Sequence, residues 1–154
     1  MINNIKRIKQ FEEDLRKGES REVEFKRELN EPKRLAKEIA AFSTSNEGRI
    51  YLGVSNNGDI IGIPNIDNIN NTSRKDDFLK RLRGIVSKVQ PRVITEIDFF
   101  EYDGKIVAVI NVEKGPKKVY YSNHIPYIRD NDSCRPADPV EVDTLCGIDE
   151  PNYE

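Results

Sequence analysis

The sequence predicts an α+β domain, a single unit with one mixed, mainly antiparallel sheet and about four helices. Three observations lead there. Apolar residues recur at helical spacing in three segments. Short alternating or continuous apolar runs lie between them. The turns that join those runs, Asn56-Asn57-Gly58-Asp59 and Asp103-Gly104, are of the kind that closes antiparallel hairpins, and no βαβ unit repeats.

Each element follows from its residues. Residues 3–17 carry Ile5, Ile8, Phe11 and Leu15 on one stripe and end at Gly18, a C-terminal cap signal. From Arg21 to Glu28 the period drops to two: Glu22, Glu24, Lys26 and Glu28 face one way, Val23 and Phe25 the other, as in a strand. Pro32 opens a second helix near Lys33 with Leu35, Ile39 and Phe42 inward, until Ser43-Thr44-Ser45-Asn46-Glu47-Gly48 breaks it. Lys33, Arg34 and Lys37 lie off that stripe.

Residues 49–55 form a continuous apolar strand, and 60–63 its return strand across the Asn-Gly turn. After a polar loop, Ser73 and Asp76 form a capping box for a helix with Phe78, Leu79, Leu82, Ile85, Val86 and Val89 on one face, ended by Pro91. Two strands then flank Asp103-Gly104, and Val107–Val112 is apolar enough to be central in a sheet. A further hairpin bends at 122–126, and Asp138-Pro139 begins a short last helix.

Composition narrows the function classes. The chain has 154 residues and 17.7 kDa, enough for one domain with a real core. No apolar run approaches the roughly 18 residues of a membrane span. The N-terminus lacks the apolar core of a signal peptide, which gives a cytoplasmic expectation. Cys134 and Cys146 are too far apart for a CxxC clamp, and one histidine, His124, completes no familiar zinc site, so both thiols are expected reduced. A net charge of −2 is not that of a basic nucleic-acid binder. The acidic residues of 137–154 have no basic neighbour, however, so the preceding chain holds a positive balance. No phosphate-cradling Gly-Lys loop is present, which removes support for ATP chemistry.

Three groups carry chemistry. Glu24 and Lys26 place a carboxylate and an ammonium on one strand face about 7 Å apart, at about 3.3 Å rise per residue. Hard oxygen ligands with a charge-balancing lysine suit metal-dependent phosphodiester hydrolysis; a solvated edge strand is the competing reading. Arg74, Arg81 and Lys88 recur every seven residues beside Lys80 and Arg83, and Lys114, Lys117 and Lys118 crowd a turn. They suit a phosphate backbone, or a solvated helix with Asp76–Lys80 and Asp77–Arg81 pairs. Tyr120, Tyr121 and Tyr127, beside Lys117, Lys118 and Arg129, suit either base stacking or cross-strand packing. His124 is read as an exposed turn residue.

Three blocks, GES…VEFKREL, AKEIAAFSTSNEGRIYLGVSNNGDIIGI and KGPKKVYYSNHIPYIRDNDSCRPAD, resemble in order and spacing those of the Schlafen AlbA_2 (divergent AAA-4) family over roughly residues 18–145. The resemblance implies an α+β fold and nucleic-acid binding. In the eukaryotic Schlafen branch it implies a divalent-metal endoribonuclease acting on tRNA and rRNA through three carboxylates. Two of these fall on Glu19 and Glu24. Where the third is expected stand Ser55, Asn56 and Asn57, with Asp59 the first acid after them. Arg129 and Arg135 fall in the Tyr-Ile-Arg block, where an arginine near the ligand groove is expected.

The expected organisation is an N-terminal helix (1–17), the AlbA_2-like domain (18–147) and an acidic tail (148–154). The expected function is backbone-directed binding of RNA or DNA through Arg129, Lys117, Lys118, Arg135, Arg81 and Lys88. The first alternative is a metal-dependent endoribonuclease with Glu19, Glu24 and Lys26 catalytic and Mg²⁺ or Mn²⁺ held by Glu19, Glu24 and Asp59. The second is a non-enzymatic module that homodimerises through the N-terminal helix or an open sheet edge.

Overall fold

The computed structural model describes residues 2–147; the expected acidic tail lies outside them. The elements run α1 (Ile2–Lys17), β1 (Val23–Lys26), α2 (Pro32–Ser45), β2 (Gly48–Leu52), α3 (Thr72–Val86), β3 (Val89–Gln90), β4 (Thr95–Tyr102), β5 (Lys105–Val112), β6 (Tyr121–Ser122), β7 (Ile125–Asp130), β8 (Ser133–Pro136) and α4 (Pro139–Leu145). The fold is α+β. Its strands divide into two four-stranded sheets, β1-β2-β5-β4 and β3-β6-β7-β8, where a single sheet was expected. Every pairing is antiparallel except β1 with β2.

The first sheet is covered on both faces, which is why β2 and β5 read as unbroken apolar runs. On one face Ile50, Leu52, Ile106, Ala108 and Ile110 pack with Leu35, Ile39 and Phe42 of α2 and with Leu82 and Ile85 of α3. On the other, Tyr51, Val107 and Val109 join Val23, Phe25, Phe100 and Phe11 of α1. Phe11 is fully buried, its ring 4.9 Å from Tyr51 and 5.0 Å from Phe100. Phe11, Ile8 and Leu15 of the α1 stripe are therefore packed inside the fold, while Ile5 is 56% exposed. Asp14, one turn further on, is 2% exposed and accepts from Arg49 Nε at 2.7 Å and from the Tyr51 hydroxyl. The outer edge of β1 is likewise occupied, with Ser20 N donating to Val23 O and Phe25 N to the Glu19 carboxylate.

Four local expectations are corrected. The expected return strand at 60–63 shrinks to one bridge, Val54 with Ile60, because Ile63 N turns away to Ile106 O of β5. The N-cap of α3 is Asn71, whose side chain accepts from Arg74 N, so Ser73 and Asp76 lie within the helix. The Ser-Thr-Ser segment continues α2 and the break comes at Asn46; Thr44 Oγ1 accepts from Tyr120 N and Ser45 Oγ from Arg129 N, both at 2.9 Å. The stretch 133–136 adds β8, a strand with no clear period. At Gly48 a Cβ would stand 2.2 Å from the Phe42 ring, so only glycine lets β2 start this close to α2.

Candidate functional site

The charged face of β1 is largely covered and meets solvent only through a groove. Val23 and Phe25 face α1, which turns Glu24 and Lys26 toward α2 and the second sheet. Arg129 of β7 reaches across: its Nη1 donates to Glu24 Oε1 at 2.7 Å, and Nη2 donates to Ser20 O at 2.6 Å and Val23 O at 3.2 Å. Its guanidinium lies 4.7 Å from the centre of the Phe42 ring. Lys26 Nζ stands 3.9 Å from Glu24 Oε2 and 2.8 Å from Glu38 Oε1, the latter an ion pair off the hydrogen-bond direction. Glu24 and Glu38 are both more than nine-tenths buried.

Glu19, Glu24, Lys26 and Glu38 line one groove of about 1000 Å³, open to solvent, together with Asn56 and Cys134. Exposed Arg27, Lys33, Arg34 and Lys37 line it as well, and so do Glu28, Glu31 and Asp132. The three carboxyls shift one another's protonation. Burial pushes Glu38 up to about 7, and the neighbouring Glu24 charge adds to this. Burial, then the hydrogen bond with Glu24, pushes Glu19 to about 7. Burial also acts on Glu24, but bonds from Glu19 and Arg129 outweigh it and hold that carboxyl below its usual range. The result is one fixed anion between two carboxyls that titrate near neutrality.

The expected binding residues fall in different places. Arg129 is not a surface cation, because its side chain is wholly buried against Glu24. Arg135, on β8, is engaged by Asp130 of β7 at 3.2 Å and by Glu141 of the first turn of α4 at 2.6 Å. Lys117 and Lys118 are exposed on the β5–β6 loop. Arg81 lines a cleft with Arg74 and Asp77, and Lys88 lines another with Tyr121 and His124. Tyr120 and Tyr127 are core residues, 0% and 4% exposed, which leaves Tyr121 as the accessible tyrosine of the three.

The expected metal set does not assemble. Asp59 is absent from the groove lining; its N–H donates to Ser55 Oγ in the turn, while Asn56 faces the groove. Both Glu24 oxygens face cations, and among the described residues no group of three or more His, Cys, Asp or Glu is placed to hold a metal ion. This donor set does not fit the three-carboxylate site that the resemblance implies.

Glu38 escaped the sequence reading, although the signal was there: it lies three residues after Leu35 and four before Phe42, on the inward stripe of α2. Asp14 has the same signature, three residues after Phe11.

A solved structure shares this architecture. The DIP2311 protein of Corynebacterium diphtheriae is similar in structure with a TM-score of 0.60 at 21% identity, over 81% of this chain and 23% of that one. This chain thus spans under a quarter of that protein. The N-terminal domain of a RecG-related protein of Nitrosomonas europaea, named for an ATP-dependent DNA helicase, gives a TM-score of 0.45 at 20% identity, covering 68% of this chain and 70% of that one. No protein of curated function matches the sequence. Among the described residues no helix is long and apolar enough to cross a membrane. The Schlafen AlbA_2 sequence profile matches residues 19–138, more than three quarters of the chain, and the chain belongs to that family.

Proposed function

We infer that this chain is a nucleic-acid-binding domain directed at the phosphate backbone of RNA or DNA. One observation carries the reading. Lys80, Arg81, Arg83, Lys88 and Arg92 are exposed along α3 and the segment after it, and none forms an ion pair with a described residue. The Asp76–Lys80 and Asp77–Arg81 pairs that would make α3 a self-satisfied helix do not form. Cations without carboxylate partners can replace the counterions of a phosphate backbone without first breaking a pair. Lys117 and Lys118 add to the same balance. Titration of labelled single-stranded RNA or DNA tests this: a shift at low salt that falls steeply between about 50 and 200 mM is expected. No shift, or a flat salt response, overturns it.

A divalent-metal endoribonuclease acting on structured RNA such as tRNA is the second reading. The observation in its favour is that Glu19, Glu24 and Lys26 share one groove; the short donor set weighs against it. Incubating structured RNA with the protein in Mg²⁺ or Mn²⁺ decides between them. Metal-dependent cleavage lost in Glu24→Gln supports the nuclease, whereas bound but intact RNA leaves a binding domain.

A further inference from the structure

The second sheet presents a cleft separate from the acidic groove and bordered by the cations of the backbone-binding face. β3 and β6 pair antiparallel with Val89 opposite Ser122 and Gln90 opposite Tyr121. Val89 and Ser122 are buried, so alternation puts Gln90 and Tyr121 side by side on the outer face. The β6–β7 turn adds Asn123 and His124, both exposed and both with positive φ, 50° and 66°. Asparagine and histidine are among the few side chains enriched in that conformation, and it stands them at the end of the same face. Pro91 and Lys88 complete the cleft, whose volume of about 680 Å³ is in the range of small-ligand sites.

The lining is unusual in kind. A phenol ring, an imidazole and a pyrrolidine offer flat surfaces. The amides of Gln90 and Asn123 each offer both a donor and an acceptor. Lys88 supplies a cation. No carboxylate lines the cleft among the described residues, in contrast to the groove over β1. An adjoining cleft meets it at Gln90 and adds Arg83 and Arg92, again without a carboxylate. A planar ligand with mixed hydrogen-bonding edges, linked to anions on one side, matches these groups; a fully paired base does not, because its edge and faces are occupied.

We propose that the Tyr121–Gln90 cleft holds one unpaired nucleobase, stacked on Tyr121 and read on its edge by Gln90 and Asn123, while Lys88, Arg92 and Arg83 hold the flanking phosphates. This rests on the nucleic-acid reading above and sharpens it, since it makes the domain selective for single strands. The RNA and DNA backbones share the required chemistry, and parallel probes of each distinguish them.

The test uses the full chain with a labelled single-stranded 12-mer, the same sequence as a duplex, and a 12-mer whose bases are replaced by abasic sites. Tighter binding of the base-bearing single strand than of either control is expected, and Tyr121→Ala should weaken it fivefold or more, the effect of losing one stacked base. Tyr121→Phe should retain binding. Because Tyr121 is half-buried, Tyr121→Leu provides a folded variant without an aromatic face and should behave as the alanine does. Equal affinity for the abasic strand, or a Tyr121→Leu variant that folds and binds as wild type, overturns the proposal while leaving backbone binding intact. Failure of the wild type to bind any probe at low salt overturns both.

Discussion

Arg129 and Glu24 form an ion pair at 2.7 Å between two residues 105 positions apart, with the arginine side chain wholly buried. The pair joins β7 of one sheet to β1 of the other and fixes the carboxylate on the groove floor. Removing one partner of a buried pair leaves an uncompensated charge, which costs about 3–5 kcal/mol. Arg129→Leu should therefore lower the denaturation midpoint sharply. Arg129→Leu combined with Glu24→Gln should cost less than the sum of the single changes, measured by urea unfolding. A surface role for Arg129 would instead leave stability within about 0.5 kcal/mol.

Stability should fall as pH rises from about 4.5 to about 7. Glu19 and Glu38 have folded-state values raised to about 7, so their protonated forms are favoured in the fold. Their contribution is complete below about 4.5 and is lost through the higher value. Glu24, shifted downward, contributes the opposite way, but its loss falls below that window. Urea midpoints at pH 5 and pH 7.5 measure the difference, on the order of 1–3 kcal/mol after discounting for solvent screening at the partly exposed Glu19. Glu38→Gln should flatten the profile; a rise in stability across the window would contradict the proton assignment.

The N-terminal helix should be inseparable from the domain. Phe11→Ala removes a fully buried ring that packs on Tyr51, Phe100 and Tyr102, a loss of about 3–5 kcal/mol. Deletion of residues 1–17 should destabilise at least as much, because it also leaves Arg49 and the Tyr51 hydroxyl without Asp14. Thermal unfolding of the truncated chain checks this, and an unchanged midpoint would return the helix to the status of an appendage.

Charge reversal separates the candidate phosphate surfaces. Arg83→Glu with Arg92→Glu should weaken binding and reduce the salt slope by about two, one for each phosphate no longer engaged, with stability within about 0.5 kcal/mol. Lys117→Glu with Lys118→Glu should act in the same direction if the β5–β6 loop lies on the path. Arg135→Glu should act mainly on the fold, because it repels Asp130 and Glu141. Salt-dependent titration and circular dichroism of the three variants distinguish these outcomes.

Elements whose signals are local are legible in the chain alone. Periodicity placed α1 and α2 and the face of α3; Asp103-Gly104 placed the β4–β5 hairpin; Asp138 and Pro139 placed the start of α4, where the capping box with Glu141 forms. The family blocks linked Glu19 with Glu24, and the fold sets both in one groove. Which charges are buried, and with whom, follows from long-range packing. Glu24 and Lys26 alternate as a solvated strand would; only the packing of α2 and β7 over that face turns it inward. Arg129 reads as a surface cation beside Tyr127 until the second sheet folds it under Phe42 and onto β1. The Gln90–Tyr121 cleft joins residues 31 apart through a two-residue ladder too short to leave a period in the chain. Spacing along the chain fixes which side of an element a residue occupies. Whether that side meets water, a hydrophobic core or an opposite charge depends on partners distant in sequence, and no local pattern encodes it.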